Sequence, residues 1–170
     1  RRRVENPVRE RTEEGACFHP ALEIRILKVS KLSDHAAWQC CYMMCGAYIG
    51  GGAYRQVFRS RFNAEEVIKI EMEGGDFANI HEWEVWQQVQ YAPAMAKWFA
   101  PCKFSSPAGS VMIQAKTLPC SKRDLPKKVP GFLTDLKVDN WGWYKDRVVC
   151  HDYGNILIGA DKKLKKANWL

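Results

Sequence analysis

The sequence predicts an α+β domain, and three observations carry that expectation. Short β-branched runs, Glu66 to Glu71 and Ser110 to Ala115, read as strands. Ala78 to Tyr91 has helical character, with Val85, Trp86 and Val89 at helical spacing. Trp141 to Tyr144 and Arg147 to His151, rich in β-branched and aromatic residues, flank Lys145-Asp146, a turn signal, and so form a hairpin. The chain has 170 residues, 46% hydrophobic and 26% charged, which suits one soluble domain with its own core.

The first third is read as cover for that domain. Arg1 to Gly15 is charged and aperiodic, an extended arm. Leu22, Ile26 and Val29 mark a short helix to about Leu32. Ser33-Asp34 is an N-cap signal for a second helix through Ala36, Ala37, Trp38, Cys41, Tyr42 and Cys45, ended by Gly46. Residues 1–48 are therefore expected as an arm with helices packed on a core formed by residues 49–170.

The cysteine count is odd: Cys17, Cys40, Cys41, Cys45, Cys102, Cys120 and Cys150. With no signal-peptide pattern, this implies a reducing, cytoplasmic setting. Cys40, Cys41 and Cys45 lack a following His or Cys pair at zinc spacing and are read as buried thiols on a helix. The net charge is +7, from 26 Lys and Arg against 19 Asp and Glu, which a solvated basic surface explains. It permits nucleic-acid contact, but no aromatic RNA-binding strand or paired-Cys finger supports one. No apolar run is long enough to span a membrane.

In Ile49 to Phe58, Gly50, Gly51 and Gly52 allow a sharp turn whose N–H groups can approach an anion; a flexible hairpin tip is the plainer alternative. In Glu66 to Glu71, Ile68 and Ile70 share one face, and Val67 and Lys69 the other. Lys69 must find a partner there or snorkel to water. In the helix, Val85, Trp86 and Val89 form the inward stripe. Glu82 lies on that stripe and Glu84 does not, so Glu82 is the expected partner of Lys69. Pro93 ends the helix, Ala96 to Phe104 leads into a strand, and Thr117 to Pro130 is a Pro- and Lys-rich loop or short helix.

The densest chemistry lies in Phe132 to Gly154. The hairpin brings Asp135-Leu136-Lys137-Val138-Asp139-Asn140 towards His151-Asp152-Tyr153-Gly154. Asn140 and Asp152 then offer oxygen ligands for a hard cation such as magnesium, with phosphate oxygens and water completing the shell. Lys137 adds positive charge, and Asp135 is a carboxylate able to orient a hydroxyl or accept its proton.

These motifs, in this order, resemble those of protein kinases: a glycine loop, a Val-x-Lys strand, a helix Glu, D-L-K-x-x-N and D-F-G. Gly50, Gly52 and Val57 match the first, with Arg55 where the third glycine usually stands. Val67 and Lys69 match the second and Glu82 the third. The fourth lacks the preceding His-Arg pair, replaced by Leu133 and Thr134, and Tyr153 stands for Phe in the last. The resemblance implies a kinase-like N-lobe, an antiparallel sheet plus an αC-type helix, with a catalytic hairpin. It implies ATP beneath Gly50, Gly51 and Gly52, flanked by Val57 and Val67. Gln114 and Ala115 fall in the adenine hinge, and Lys69, fixed by Glu82, sits on the phosphates. Asn140 and Asp152 would hold Mg2+, Lys137 would offset charge on the phosphoryl group, and Asp135 would align the acceptor.

Only about twenty residues separate the expected hinge from Asp135, too few for the usual helices, and no A-P-E follows Gly154. A strongly reduced C-lobe is expected, with the N-terminal helices in its place. Compaction of this kind is found in virus genomes and would put the protein in a host cytoplasm. The resemblance implies an ATP- and magnesium-dependent phosphotransferase of serine/threonine type, acting on a protein or on itself. The alternative is an inactive, kinase-derived binding module that regulates a macromolecular partner.

Overall fold

Five antiparallel strands organise the protein: β1 (Cys45–Gly51), β2 (Arg55–Ser60), β3 (Glu66–Glu71), β4 (Cys102–Ser105) and β5 (Val111–Ala115), hydrogen-bonded in the order β1-β2-β3-β5-β4. The computed structural model describes Ala36, Gln39 and residues 43–52, 54–72, 75–159 and 163–170. The arm expected at 1–15, the helix expected at 20–32, and Cys17, Cys40 and Cys41 lie outside the described residues. Of the second expected helix, Met43 and Met44 are helical, but Cys45 already opens β1. Cys45 is buried, as a strand residue and not a helical one. The boundary expected at 48/49 thus falls within a strand.

β3 is the central strand, and its alternation decides what each face becomes. Ile68 and Ile70 pack with Cys45 and Val111 against Phe58 and Met44. Lys69 and Glu71 point the other way, towards helix α1 (Ala78–Val89). Val85 and Val89 of α1 are buried in the larger core with Phe99, Met112, Leu133 and Tyr153; Trp86 is partly buried there.

The start of α1 is fixed from outside the helix. Its N-cap position is Phe77, left-handed at φ 60°, which offers no side-chain acceptor. Glu71 takes over: one carboxylate oxygen accepts from Ala78 N–H and the other from Asn79 N–H, each at 3.0 Å. Two otherwise orphaned donors are satisfied, and a negative charge sits at the positive end of the helix dipole. Asn79 Nδ2 donates to the carbonyls of Lys69 (3.2 Å) and Gly109 (2.8 Å), tying the helix to β3 and to the β4–β5 turn.

The expected hairpin is present as β8 (Trp141–Tyr144) and β9 (Arg147–Cys150), closed by a two-residue turn with Lys145 at φ 55°. It forms a second antiparallel sheet with β6 (Leu118–Pro119). Cys150 N–H donates to Trp98 O, and Ala100 N–H to Cys150 O, both at 2.8 Å. These bonds lash the end of the hairpin to the chain entering β4, so 151–154 lie against α1. Gly154 is required there: a Cβ would stand 2.9 Å from the carbonyl oxygen of Ala78. The domain is α+β with antiparallel sheets. Among the described residues no helix is long and apolar enough to cross a membrane.

Two expectations are corrected. Pro93 does not simply end α1; it is the first residue of a separate short helix, α2 (Pro93–Ala96), where its missing N–H costs nothing. The region 117–130 contains β6 and β7 (Lys128–Pro130), and β7 pairs with β10 (Leu164–Lys166) near the C-terminus. Just beyond, Trp169 meets Trp141 edge to face at 5.1 Å.

Glu71→Ala should lower stability by about 1–2 kcal/mol, read from the urea midpoint, because both capping bonds disappear. Glu71→Gln, which keeps one acceptor oxygen, should lose less; equal midpoints for wild type and Glu71→Ala would show that the cap contributes nothing.

Candidate functional site

A cleft of about 720 Å³ opens between the β1–β2 turn, β3, the segment after β5 and the residues after β9. Gly50, Gly51 and Gly52 form one wall. Gly51 must lack a side chain, since a Cβ would strike the carbonyl of Arg55, whereas Gly50 and Gly52 face open space. Val57, Val67 and Ala115 give the cleft an apolar slot.

Its inner end is charged. Lys69, 3% exposed, donates from Nζ to Glu82 Oε2 (2.7 Å) and to the carbonyl of His151 (2.6 Å). Glu82, on α1 and 0% exposed, also accepts from Arg55 through Oε1 (2.7 Å) and from Gln114 Nε2 through Oε2 (3.2 Å). The other end of the Arg55 guanidinium donates to Asp152 Oδ1 (2.5 Å). The result is a chain of alternating charge: Lys69, Glu82, Arg55, Asp152. Burial opposes the charge on Arg55, but the Glu82 and Asp152 carboxylates outweigh it and raise the guanidinium pKa. Burial likewise pushes the Asp152 carboxyl up, but Arg55 and Lys69 outweigh it and hold the pKa below the ordinary 3.8.

Asp152 is aimed by its neighbours. His151 is pinned at both ring nitrogens, by Thr117 Oγ1 (2.8 Å, Nδ1) and by the carbonyl of Asp139 (3.0 Å, Nε2). A carbonyl only accepts, so Nε2 carries the proton and Nδ1 accepts from the threonine hydroxyl. Burial, then the charge of Lys69, lowers the His151 pKa to about 4, so the ring is neutral at pH 7. On the other side, Tyr153 is buried; its hydroxyl donates to Ala100 O (2.7 Å), and its ring meets Phe99 edge to face at 4.9 Å.

The cleft brings together Lys69, Asp152, Gly50, Gly51, Gly52, Val57, Val67, Gln114 and Ala115, with Glu82 directly behind. Gln114 is present as a buried side chain bonded to Glu82, and the N–H groups of Ala115 and Lys116 already donate to Pro101 O (2.8 Å) and Glu65 O (2.9 Å). Besides Glu82, three expected residues, Asp135, Lys137 and Asn140, do not line the cleft. Asp135 pairs with Lys137 at 3.6 Å on the loop before the short 3-10 turn. Asn140 is buried at the end of that turn, where its carbonyl accepts from His151 N–H (2.8 Å). Asp139 lines the cleft instead. Among the described residues no three His, Cys, Asp or Glu side chains gather as a metal site.

Arg55, His151 and Asp139 are the participants that sequence reasoning missed. The signal for Arg55 was visible only as a departure, an arginine where a glycine was expected; its partners lie 27 and 97 residues away. No protein-family model matches the chain, and no curated protein matches it.

Glu82→Gln would leave Lys69 and Arg55 buried beside a neutral amide and should cost about 3–5 kcal/mol in urea unfolding. Lys69→Met leaves Glu82 with Arg55 and should cost less, about 1–3 kcal/mol; the reverse ranking would contradict the network. The pH dependence has a defined sign. The unfolded chain protonates His151 near the ordinary value of 6.5, while the native ring resists until about 4. Stability should therefore fall as pH drops across that window. The contribution of Asp152 is lost only below 3.8, as pH falls through its depressed native value. His151→Gln should flatten the 6.5-to-4 portion of the melting-temperature profile and leave the more acidic portion in place.

Proposed function

We propose that the chain is an ATP-dependent phosphotransferase built like the nucleotide lobe of a protein kinase. The observation that carries this reading is the Lys69–Glu82 pair, buried between strand and helix at the foot of a glycine-walled cleft with Asp152 beside it. The strand order β1-β2-β3-β5-β4 with α1 against it is compatible with a small N-lobe. The cleft volume lies within the range of small-molecule sites.

The residues present fit a nucleoside triphosphate. Val57, Val67 and Ala115 offer a slot for a flat base, the open faces of Gly50 and Gly52 leave room for phosphates against backbone, and Lys69 and Arg55 supply cations. Lys69 is held by Glu82 and the His151 carbonyl, so it meets phosphate without having to be ordered first. For magnesium, Asp152 fits as one carboxylate donor, with Asn140 behind the cleft wall. Magnesium, when bound, neutralises phosphate charge and orients the transferred group. Asp135 would align the acceptor hydroxyl and take up its proton, and Lys137 would offset charge on the phosphoryl group. Both belong to the loop that continues through Val138 and Asp139 into the cleft wall. The acceptor is a protein or the chain itself.

A second reading has an observation of its own. Asp135 is paired to Lys137, and Asp152 to Arg55, which suits a kinase-derived module that binds nucleotide or a partner without transfer. Incubation with γ-labelled ATP, magnesium and a general acceptor protein separates the two. Transfer should be measurable and fall at least about 100-fold in Lys69→Met and Asp135→Ala. ATP-induced thermal stabilisation with no label transfer would favour the module, and absence of both effects would sink the nucleotide reading altogether.

A further inference from the structure

Arg55 opens β2 immediately after the glycine turn, where its carbonyl accepts from Gly52 N–H (2.9 Å) and Val57 shares its cleft-facing side. The Arg55 side chain is only 13% exposed, so it is already largely desolvated. Glu82 is neutralised by Lys69 through one oxygen and approached by Arg55 through the other. Two cations on one carboxylate leave an excess positive charge, which Asp152 balances. Asp152 is the loose member: its side chain is 47% exposed, and water can replace its partner at small cost. Of the five N–H donors of Arg55, Glu82 and Asp152 take one each. Guanidinium geometry suits paired phosphate oxygens as well as it suits a carboxylate.

We propose that Arg55 is a polyphosphate-binding residue that stands in for a divalent cation: an incoming polyphosphate takes the guanidinium from Asp152, and binding proceeds without metal. This rests on the nucleotide reading of the cleft only for where the phosphates lie. The exchange swaps one oxyanion for another on a cation that is already desolvated, while Glu82 keeps Lys69 and holds Arg55 from behind. An arginine at this position thus does the charge neutralisation that a metal ion would otherwise have to bring in with the ligand.

The test is isothermal titration of the full chain with sodium tripolyphosphate and, separately, with ATP, in EDTA and then in magnesium. Wild type should bind both ligands in EDTA. Arg55→Met should weaken metal-free binding at least tenfold, and Arg55→Lys should recover part of it as a point charge. In EDTA, Asp152→Asn should bind at least as tightly as wild type, because it releases the guanidinium; this variant decides the matter if Arg55→Met does not fold. A strict magnesium requirement in wild type, or, in EDTA, Arg55→Met within twofold of wild type or a tenfold loss in Asp152→Asn, would each overturn the role of Arg55 and leave the nucleotide reading standing. Tripolyphosphate binding without ATP binding would overturn the nucleotide reading and leave Arg55 in its role. Failure of both ligands to bind in either buffer would overturn both.

Discussion

The arrangement depends on one buried carboxylate. Glu82 has no solvent contact, and an ionised carboxylate in that position is untenable without cations and hydrogen bonds around it. Its oxygens are met by Lys69 from β3, Arg55 from β2 and Gln114 from β5, so three strands of the sheet are ordered around a single helix residue. That requirement fixes the rotation of α1. Displacing α1 by one residue would carry Glu82 about 100° around the axis and leave two cations unpaired at the foot of the cleft.

The second half of the protein is registered to the same helix by different forces. The Trp98 and Ala100 bonds to Cys150 align the hairpin, Tyr153 buries its ring against Phe99, and Gly154 lets the backbone close onto Ala78. Lys69 then completes the join by donating to the carbonyl of His151. The N-terminus of α1 consequently touches Glu71 on one side and Gly154 on the other. Sheet, helix and hairpin share one fixed point, and a shift of α1 would move Asp152 with it.

How far this could be read from residues alone follows from the range of each interaction. The two faces of β3 follow from strand periodicity, which places Lys69 opposite Ile68 and Ile70. Glu82 was separable from Glu84 because helical spacing puts only one of them on the apolar stripe. The hairpin was readable because β-branched and aromatic runs flank a two-residue turn that tolerates Lys145 in a left-handed conformation. The short strands were not readable: β6 spans two residues and β7 and β10 three, fewer than any periodic signal needs, and two of them end on proline. They exist because partners distant in sequence pair with them. Pro93 likewise gives the same local signal whether it stops one helix or begins another. In the site, a motif gives the order of residues but not which of two neighbours turns inward, so Asp139 lines the cleft where Asn140 was expected.

Charge burial on this scale needs an explanation other than stability. An ion network in a protein interior loses hydration that its Coulomb energy barely recovers, and apolar residues of the same volume often hold a core together as well or better. The surroundings here could have supplied such a core: Val85, Val89, Phe99 and Met112 already pack on the same side of the sheet. Lys69 and Arg55 instead line the same cleft as the glycine backbone of the β1–β2 turn, with Glu82 directly behind them. Fixed cations beside an open backbone do more than hold α1 in place; they are also suited to receiving an anion. On the proposed reading, the buried pair that fixes α1 is also the rigid rear of a binding site, and the exposed carboxylate of Asp152 is the part of the network that can let go.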